Sequence, residues 1–189
     1  VRAENRHMLR LLEPPIELVS DVKCGPETAI VIVDFGAEAA NHLDVNGGSE
    51  IVAVIDHHAT SRQKSQLPFV DIRPAMASSA AICSGYLREQ NIEPDDRLAT
   101  ALLYATRAET RGEEFAHSRQ DRAIISWLSG FANPEWLAEI ECAPLPRAYF
   151  GDLVLALQNT FLYDDAAFCL LPRAEGAEIV GEVADMLIR

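Results

Sequence analysis

The stretch Ile51-Val-Ala-Val-Ile-Asp-His-His58 decides the fold that this sequence predicts. Five apolar residues, most of them β-branched, lead directly into Asp56, His57 and His58. An uninterrupted apolar run of this length is typical of a strand covered on both faces, as in a parallel α/β sheet. Such sheets place their chemistry outside the carboxyl ends of the strands. We therefore expect the three polar residues to lie at a functional edge of the sheet.

A second apolar run, Ala29-Ile-Val-Ile-Val-Asp34, has the same pattern and also ends on a carboxylate. Two buried strands that deliver their carboxylates to one sheet edge make a plausible metal site. Oxygen and imidazole ligands together suit zinc, manganese or iron better than calcium. The competing interpretation is that each aspartate caps the turn after its strand, and that the histidines are ordinary loop residues.

The order of these residues resembles the DHH phosphoesterase superfamily, which includes RecJ-like exonucleases, nanoRNase/pAp phosphatases and, more distantly, manganese pyrophosphatases. The bacterial nanoRNase-like members are most similar, from about Asn5 to the end of the chain. The resemblance implies an α/β fold, a parallel-sheet, three-layer domain with a helical C-terminal part. It also implies that residues 1–165 form this domain and that 166–189 connect it to a C-terminal substrate-binding domain outside the sequence.

Within the resemblance, Asp34 matches the family's second motif, whose carboxylate bridges two divalent ions, commonly Mn²⁺ and alternatively Mg²⁺. The third motif matches Asp56, His57 and His58. Its first histidine is a metal ligand, its second lies near the scissile phosphate, and its aspartate holds the imidazole in the needed tautomer. Two such ions clamp the attacking and leaving oxygens of a phosphoryl group and activate a water.

The family's fourth motif, Gly-Ile-x-x-Asp-Thr, is matched only in part by residues 105–110. Glu109 stands where the metal-binding aspartate is expected, and Ala105 stands where glycine is expected. One extra methylene displaces the carboxylate, so Glu109 is interpreted either as a metal ligand or as a solvated residue at a helix end. Arg107 lies inside the motif and is expected to contact phosphate, which guanidinium groups bind bidentately.

The family's first motif, His-x-x-Pro-Asp-x-Asp, is absent, and His7 is no substitute because no Asp-x-Asp follows it. Either the sequence begins downstream of that motif or the protein has lost it. Three further residues are expected to face the substrate. These are Asn41 and His42 in the loop after the first strand, and Arg62 after the histidines.

The remaining elements follow from shorter patterns. Phe69–Ile72 reads as a third strand, and Ala77–Gln90 as a helix that Ser78 or Ser79 caps. Further helices are expected from Pro94-Asp95-Asp96, over 120–129, after Asn133-Pro134 and over 179–188, and a strand over 166–171. A longer helix opens at Pro146 and contains Leu153, Leu157 and Leu162 at recurring positions.

Sixteen basic against twenty-nine acidic residues give a formal net charge of −13. This argues against general binding to duplex DNA, which depends on neutralising many phosphates, but it permits a short nucleotide held by metal ions and a few arginines. No apolar run approaches the length of a membrane span. The four cysteines are scattered without a C-x-x-C motif. We therefore expect a cytoplasmic protein that does not bind membranes. The resemblance adds the expectation of a homodimer, because dimerisation is common among the similar proteins.

Two functions remain open. The first is a metal-dependent phosphoesterase that cleaves short oligoribonucleotides or removes a phosphate from a 3′,5′-bisphosphate nucleotide. The second is a degenerate family member that binds nucleotide or a protein partner without turnover. The sequence contains no P-loop, dinucleotide-binding, serine-hydrolase or H-E-x-x-H motif.

Overall fold

The two apolar runs form neighbouring strands of one parallel sheet. The computed structural model describes residues 3–17, 25–35, 49–59, 67–109, 118–171 and 178–188. The sheet has the order β1-β2-β3, and both pairings are parallel. Its strands are β1 (Ala29–Val33), β2 (Glu50–Asp56) and β3 (Phe69–Ile72). The predicted α/β class with a parallel sheet is therefore observed.

Seven helices and a two-stranded antiparallel sheet complete the described part of the chain. The helices are α1 (Ala3–Leu12), α2 (Ser79–Glu89), α3 (Asp96–Ala108), α4 (Arg119–Leu128), α5 (Pro134–Glu141), α6 (Arg147–Gln158) and α7 (Glu178–Ile188). The antiparallel strands are β4 (Thr160–Tyr163) and β5 (Ala166–Cys169).

The chain divides into two compact units. One comprises Pro14–Leu137 and contains the parallel sheet with α2, α3 and α4. The other comprises Val1–Glu13 together with Ala138–Arg189. The predicted domain over residues 1–165 and its connector over 166–189 stay predictions.

The register of the parallel sheet brings the strand ends to one edge. Val33 pairs with Ile55, and the Asp34 N–H continues this ladder by donating to the Ile55 carbonyl at 3.0 Å. On the other side of β2, the Arg73 N–H donates to the Asp56 carbonyl at 2.9 Å. The residues that follow β1, β2 and β3 therefore lie side by side. This agrees with the prediction that the polar residues at the strand ends meet at one edge of the sheet.

Helix α2 packs against β2 through a small apolar cluster. Met76, Ala81 and Ile82 are buried there, and Ile55 and Tyr86 pack against them. Full burial of a side chain such as that of Ile82 stabilises the fold by about 1.5–3 kcal/mol. This packing sets the start of α2 near the carboxyl edge of the sheet.

Coverage of the sheet differs between its strands. Val54 in β2 is 1% exposed, as expected for a strand covered on both faces. In β1, however, Val31 and Val33 are 55% and 49% exposed to solvent. The central strand is therefore more deeply covered than the outer one, but only Val54 and Asp56 of β2 are fully buried, so the expected coverage of both faces is met only in part.

The helices begin at the predicted polar residues. Ser78 caps α2, because its hydroxyl accepts the Ala81 N–H at 3.0 Å. Asp95 caps α3 by accepting the Leu98 N–H at 2.8 Å. These bonds satisfy amides that a helix start leaves without partners. Ser79, the other residue that the sequence offers as a cap of α2, occupies the first helical position.

A fully buried carboxylate connects the starts of α2 and α4. Asp121 accepts the Ser118 N–H at 2.9 Å while Ser118 accepts the Asp121 N–H at 3.1 Å, a reciprocal capping box. The other oxygen of Asp121 accepts the Ala77 N–H at 3.0 Å. This buried side chain therefore fixes the turn before α2 to the first turn of α4.

The sequence prediction for the end of α6 is wrong. The helix ends at Gln158, and Leu162 lies in β4 rather than in the helix. Asn159 leaves the helical conformation, and the following Thr-Phe-Leu-Tyr segment contains residues that favour strands. Asp164, at a φ of 51°, makes the tight turn from β4 into β5.

Among the described residues, no helix has both the length and the apolar composition needed to cross a bilayer.

The buried Asp121 generates a stability prediction. Asp121→Ala leaves the Ala77 and Ser118 amides without their charged acceptor, and it should lower the free energy of unfolding by about 2–4 kcal/mol. Asp95→Ala, which removes one exposed cap, should cost only about 1 kcal/mol. Urea unfolding of both variants measures the two values. Equal losses would contradict the connecting role of Asp121.

Candidate metal centre

Asp34 stands at the carboxyl end of β1 in an unusual backbone conformation. Its φ of 60° lies in the left-handed region, which aspartate tolerates better than most residues. The side chain is 52% exposed, and its Oδ1 lies 3.3 Å from Nε2 of His57. Strained backbone of this kind is common at functional sites. The structure thus brings together two of the predicted metal ligands from different strands.

The His57 ring nitrogen is buried without a hydrogen bond. Despite its distance of 3.3 Å from Asp34 Oδ1, Nε2 makes no hydrogen bond with it or with any other described group. Ligand atoms that share one ion at bond lengths of about 2.0–2.2 Å lie roughly 3–3.5 Å apart. The spacing of this carboxylate and imidazole therefore fits one shared divalent ion.

Asp56 is fully buried at the end of β2. Its Oδ1 accepts the His57 N–H at 2.7 Å, the His58 N–H at 3.2 Å and His58 Nδ1 at 2.7 Å. Burial raises the pKa of Asp56, but the hydrogen bonds from the His58 ring and the two amides outweigh it, so the pKa lies below its ordinary value. Asp56 is therefore an ionised acceptor held by its own turn.

Asp56 orients His58 rather than His57. An ionised carboxylate only accepts hydrogen bonds, so Nδ1 of His58 must carry the proton, and Nε2 remains for another partner. The hydrogen bond to Asp56 raises the pKa of His58, burial opposes the rise, and the negative charges of Asp56, Asp34 and Glu109 add to it. The ring is 56% exposed, so it is accessible to a ligand.

These four side chains form one group of metal-ligating atoms. Asp34, Asp56, His57 and His58 each offer a ligand atom, and these atoms lie within 4.8 Å of one another. Two of the group's atoms, Asp56 Oδ2 and His57 Nε2, are buried without a hydrogen-bond partner among the described residues. Since an unsatisfied buried polar atom costs about 1–3 kcal/mol, a bound cation would remove an unfavourable feature. The donor set suits a borderline divalent ion.

Ser79 joins this group, although sequence reasoning considers it only as a helix cap. Its hydroxyl donates to Asp34 Oδ1 at 3.0 Å. The only sequence signal is the pair of consecutive serines, since one of them is enough to cap α2. Nothing in the sequence indicates that the second serine reaches a residue 45 positions away.

Glu109 and Arg107 lie at the end of α3. Glu109 is the C-cap residue of that helix and is exposed, and it is not a member of the group of four. Its charge nevertheless contributes to raising the pKa of His58. Arg107 is exposed in the last turn. Their predicted roles as metal ligand and phosphate contact stay predictions.

The other predicted substrate contacts, Asn41, His42 and Arg62, lie outside the described residues.

A cavity elsewhere in the fold contains none of the four ligand-bearing residues. It has a volume of about 600 Å³ and lies between the β4–β5 hairpin and α7, where Leu162, Val183 and Leu187 are among its lining residues. Its lining includes none of the predicted site residues. The candidate metal centre lies instead at the carboxyl edge of the parallel sheet.

The chain is similar in sequence to a protein from an archaeon. No protein-family model matches the chain. An uncharacterized protein of Methanocaldococcus jannaschii is 24% identical over 187 residues, which cover 98% of this chain and 38% of that protein. The chain therefore spans well under half the length of this curated relative.

Two solved structures resemble the chain with 16% sequence identity each. An exopolyphosphatase-related protein from Bacteroides fragilis superposes with a TM-score of 0.57 over 82% of this chain and 47% of its own. A proposed family II inorganic pyrophosphatase from Methanococcus jannaschii gives a TM-score of 0.55 over 84% and 50%. The chain thus has the α/β fold of these proteins and covers half of each or less. The predicted fold class is confirmed.

The contacts of His58 generate a pH prediction. In the metal-free chain the pKa of His58 should lie above the ordinary 6.5. Asp56→Asn removes the acceptor charge while the opposing burial remains, so the pKa should fall to that value or below it. Glu109→Gln removes only a more distant charge and should lower it less. NMR titration of the imidazole signals measures the pKa of His58 in the unmodified chain and in both variants. An unchanged pKa of His58 in Glu109→Gln would place Glu109 away from the site.

Proposed function

We propose that this chain is the catalytic part of a metal-dependent phosphoesterase that hydrolyses short oligonucleotides or nucleotide phosphates. Its cofactor would be Mn²⁺, alternatively Mg²⁺, bound by Asp34 and His57, with Asp56 and His58 beside them. Because the chain spans only part of its relatives, the proposal extends to the activity of a longer protein.

One observation carries this proposal. A buried imidazole nitrogen without a hydrogen bond lies 3.3 Å from a carboxylate of the neighbouring strand, at the carboxyl edge of a parallel sheet. The distance also suits an ion pair between Asp34 and His57, but such a pair would normally include a hydrogen bond between the two atoms. A shared divalent ion explains both the spacing and the unpaired nitrogen.

The chemistry divides between the ion and the chain. A divalent ion held at this edge supplies charge for a phosphoryl oxygen and lowers the pKa of a water. The chain orients His58 through its hydrogen bond to Asp56, which keeps the ring protonated to higher pH than free histidine. His58 then donates a proton from Nε2 to a phosphoryl oxygen or to the leaving group. Arg107 provides a further contact with phosphate.

The class of substrate follows from charge and from the resemblance. A net charge of −13 disfavours long duplexes, whereas a short nucleotide needs few cationic contacts. The similar solved structures are described as exopolyphosphatase-related and as a proposed inorganic pyrophosphatase, so condensed phosphates are the natural competing substrates. The similarity of the motifs to nanoRNase-like proteins favours dinucleotides and 3′-phosphoadenosine-5′-phosphate.

One observation favours the second candidate function, a module that binds nucleotide without turnover. Glu109 replaces the expected aspartate and lies outside the group of four ligand-bearing residues. A missing ligand would weaken the binding of one of the two metal ions. The site would then still bind nucleotide but would not hydrolyse it efficiently. Glu109→Asp, which restores the shorter side chain, therefore distinguishes the two functions.

Turnover with Mn²⁺ tests the proposal directly. The intact protein that contains this chain should hydrolyse a 5′-phosphorylated RNA dinucleotide or 3′-phosphoadenosine-5′-phosphate faster than it hydrolyses pyrophosphate or duplex DNA. His57→Ala should lose Mn²⁺ binding by calorimetry, and with it the activity. His58→Ala should retain Mn²⁺ binding but lose about 10²–10⁴-fold in kcat, as expected for a residue that transfers a proton.

A variant at the other end of α3 is the control. Arg97→Ala changes an exposed residue in the first turn of α3, far along that helix from Glu109, and should leave turnover unchanged. Nucleotide binding without turnover, followed by a gain of activity in Glu109→Asp, would support the binding module. Faster hydrolysis of pyrophosphate than of either nucleotide would contradict the proposed substrate class.

A further inference from the structure

Two consecutive serines at the start of α2 have different partners. Ser78 accepts the Ala81 N–H at 3.0 Å and so completes the N-terminal cap of the helix. The Ser79 hydroxyl instead donates to Asp34 Oδ1 at 3.0 Å. Since the cap is already complete, the helix does not need the Ser79 hydroxyl. Its contact is with the candidate metal centre.

This contact joins a buried donor to a carboxylate that is half exposed. Ser79 is 2% exposed, and the turn before it is held by the Ala77 amide on buried Asp121. Asp34, by contrast, has a side chain that is 52% exposed. Its carboxylate could rotate between staggered positions unless a neighbour selects one of them. Ser79 is such a neighbour, and it reaches Asp34 from an element that packs on the sheet.

The oxygen that accepts this hydrogen bond is the oxygen that faces His57. Asp34 Oδ1 lies 3.0 Å from the Ser79 hydroxyl and 3.3 Å from His57 Nε2. The hydroxyl therefore keeps Oδ1 at a distance from the imidazole that suits a shared ion. Hydrogen-bond partners of metal-ligating side chains typically contribute about 10–100-fold to metal affinity. They fix the orientation of the ligand before the ion binds, so that less conformational entropy is lost on binding.

We propose that Ser79 is a positioning residue that sets the divalent-ion affinity of the site by holding Asp34 Oδ1 opposite His57 Nε2. This inference rests on the proposed function, because it presumes that the ion binds to Asp34 and His57. It assigns Ser79 no contact with substrate. The effect of the hydroxyl is therefore on the concentration of Mn²⁺ that fills the site.

Calorimetric titration of the full chain with Mn²⁺ alone tests this role. Ser79→Ala should bind Mn²⁺ about 10-fold more weakly than the unmodified chain. Ser79→Thr, which keeps the hydroxyl, should recover most of the affinity. Ser84→Ala is the matched control, because Ser84 is equally buried on the same helix but donates to the Ala80 carbonyl within it.

Thermal unfolding of the metal-free variants and turnover complete the test. Ser79→Ala and Ser84→Ala should shift the melting temperature by similar amounts, while only Ser79→Ala loses affinity. Raising Mn²⁺ should return the kcat of Ser79→Ala to the value of the unmodified chain, as expected for a defect in ion binding.

The outcomes distinguish this inference from the proposed function. Unchanged Mn²⁺ affinity in Ser79→Ala, together with lost binding in Asp34→Ala and His57→Ala, would overturn the role of Ser79 and leave the metal centre intact. Equal losses of Mn²⁺ affinity in Ser79→Ala and Ser84→Ala would show that the loss comes from a less stable α2, and this would also overturn the role of Ser79. Failure of the unmodified chain to bind Mn²⁺ would overturn the metal centre itself, and the role of Ser79 with it.

Discussion

The register between β1 and β2 is the constraint on which the candidate metal centre depends. The Asp34 amide donates to the Ile55 carbonyl, so Asp34 stands beside the turn that carries the histidines. Side chains alternate between the two faces of a strand, so a slip of one residue would turn Asp34 to the opposite face. The chemistry of the site thus depends on backbone hydrogen bonds that are themselves unreactive.

Asp56 shows how a buried charge is stabilised within a single turn. The three hydrogen bonds that its Oδ1 accepts come from the next two residues, from their amides and from the His58 ring. Because these donors are local, a contiguous Asp-His-His segment is sufficient to form the arrangement. The local bonds leave Asp56 Oδ2 and His57 Nε2 without a hydrogen-bond partner among the described residues, and this separates the site from an ordinary turn.

Asp34 differs from Asp56 because, among the described residues, its side-chain partners are distant in sequence. His57 lies in the turn after the neighbouring strand, and Ser79 lies in a helix packed on the sheet. Its position therefore depends on strand register and on the packing of α2 at the same time. A site assembled this way responds to changes far from any ligand, such as those at Asp121, which holds the turn before α2.

The elements that could be predicted from the sequence are those whose signals are local. β-branched runs predict β1 and β2, polar residues predict the caps of α2 and α3, and the strand ends predict a site at Asp34 and Asp56. The end of α6 could not be predicted in the same way. Leucines at helical spacing continue to Leu162, although that residue pairs in a hairpin where strand propensity and a turn prevail.

The sequence by itself determined which residues can do chemistry and which strands carry them, because strand propensity and the Asp-His-His turn act over a few residues. Only the tertiary structure decided that His57 faces Asp34 and that Ser79 rather than Ser78 reaches the site. These contacts depend on strand register and helix packing, in which residues far apart in the chain meet. Local sequence patterns carry no information about such distances, and this is why the geometry of the centre had to come from the fold.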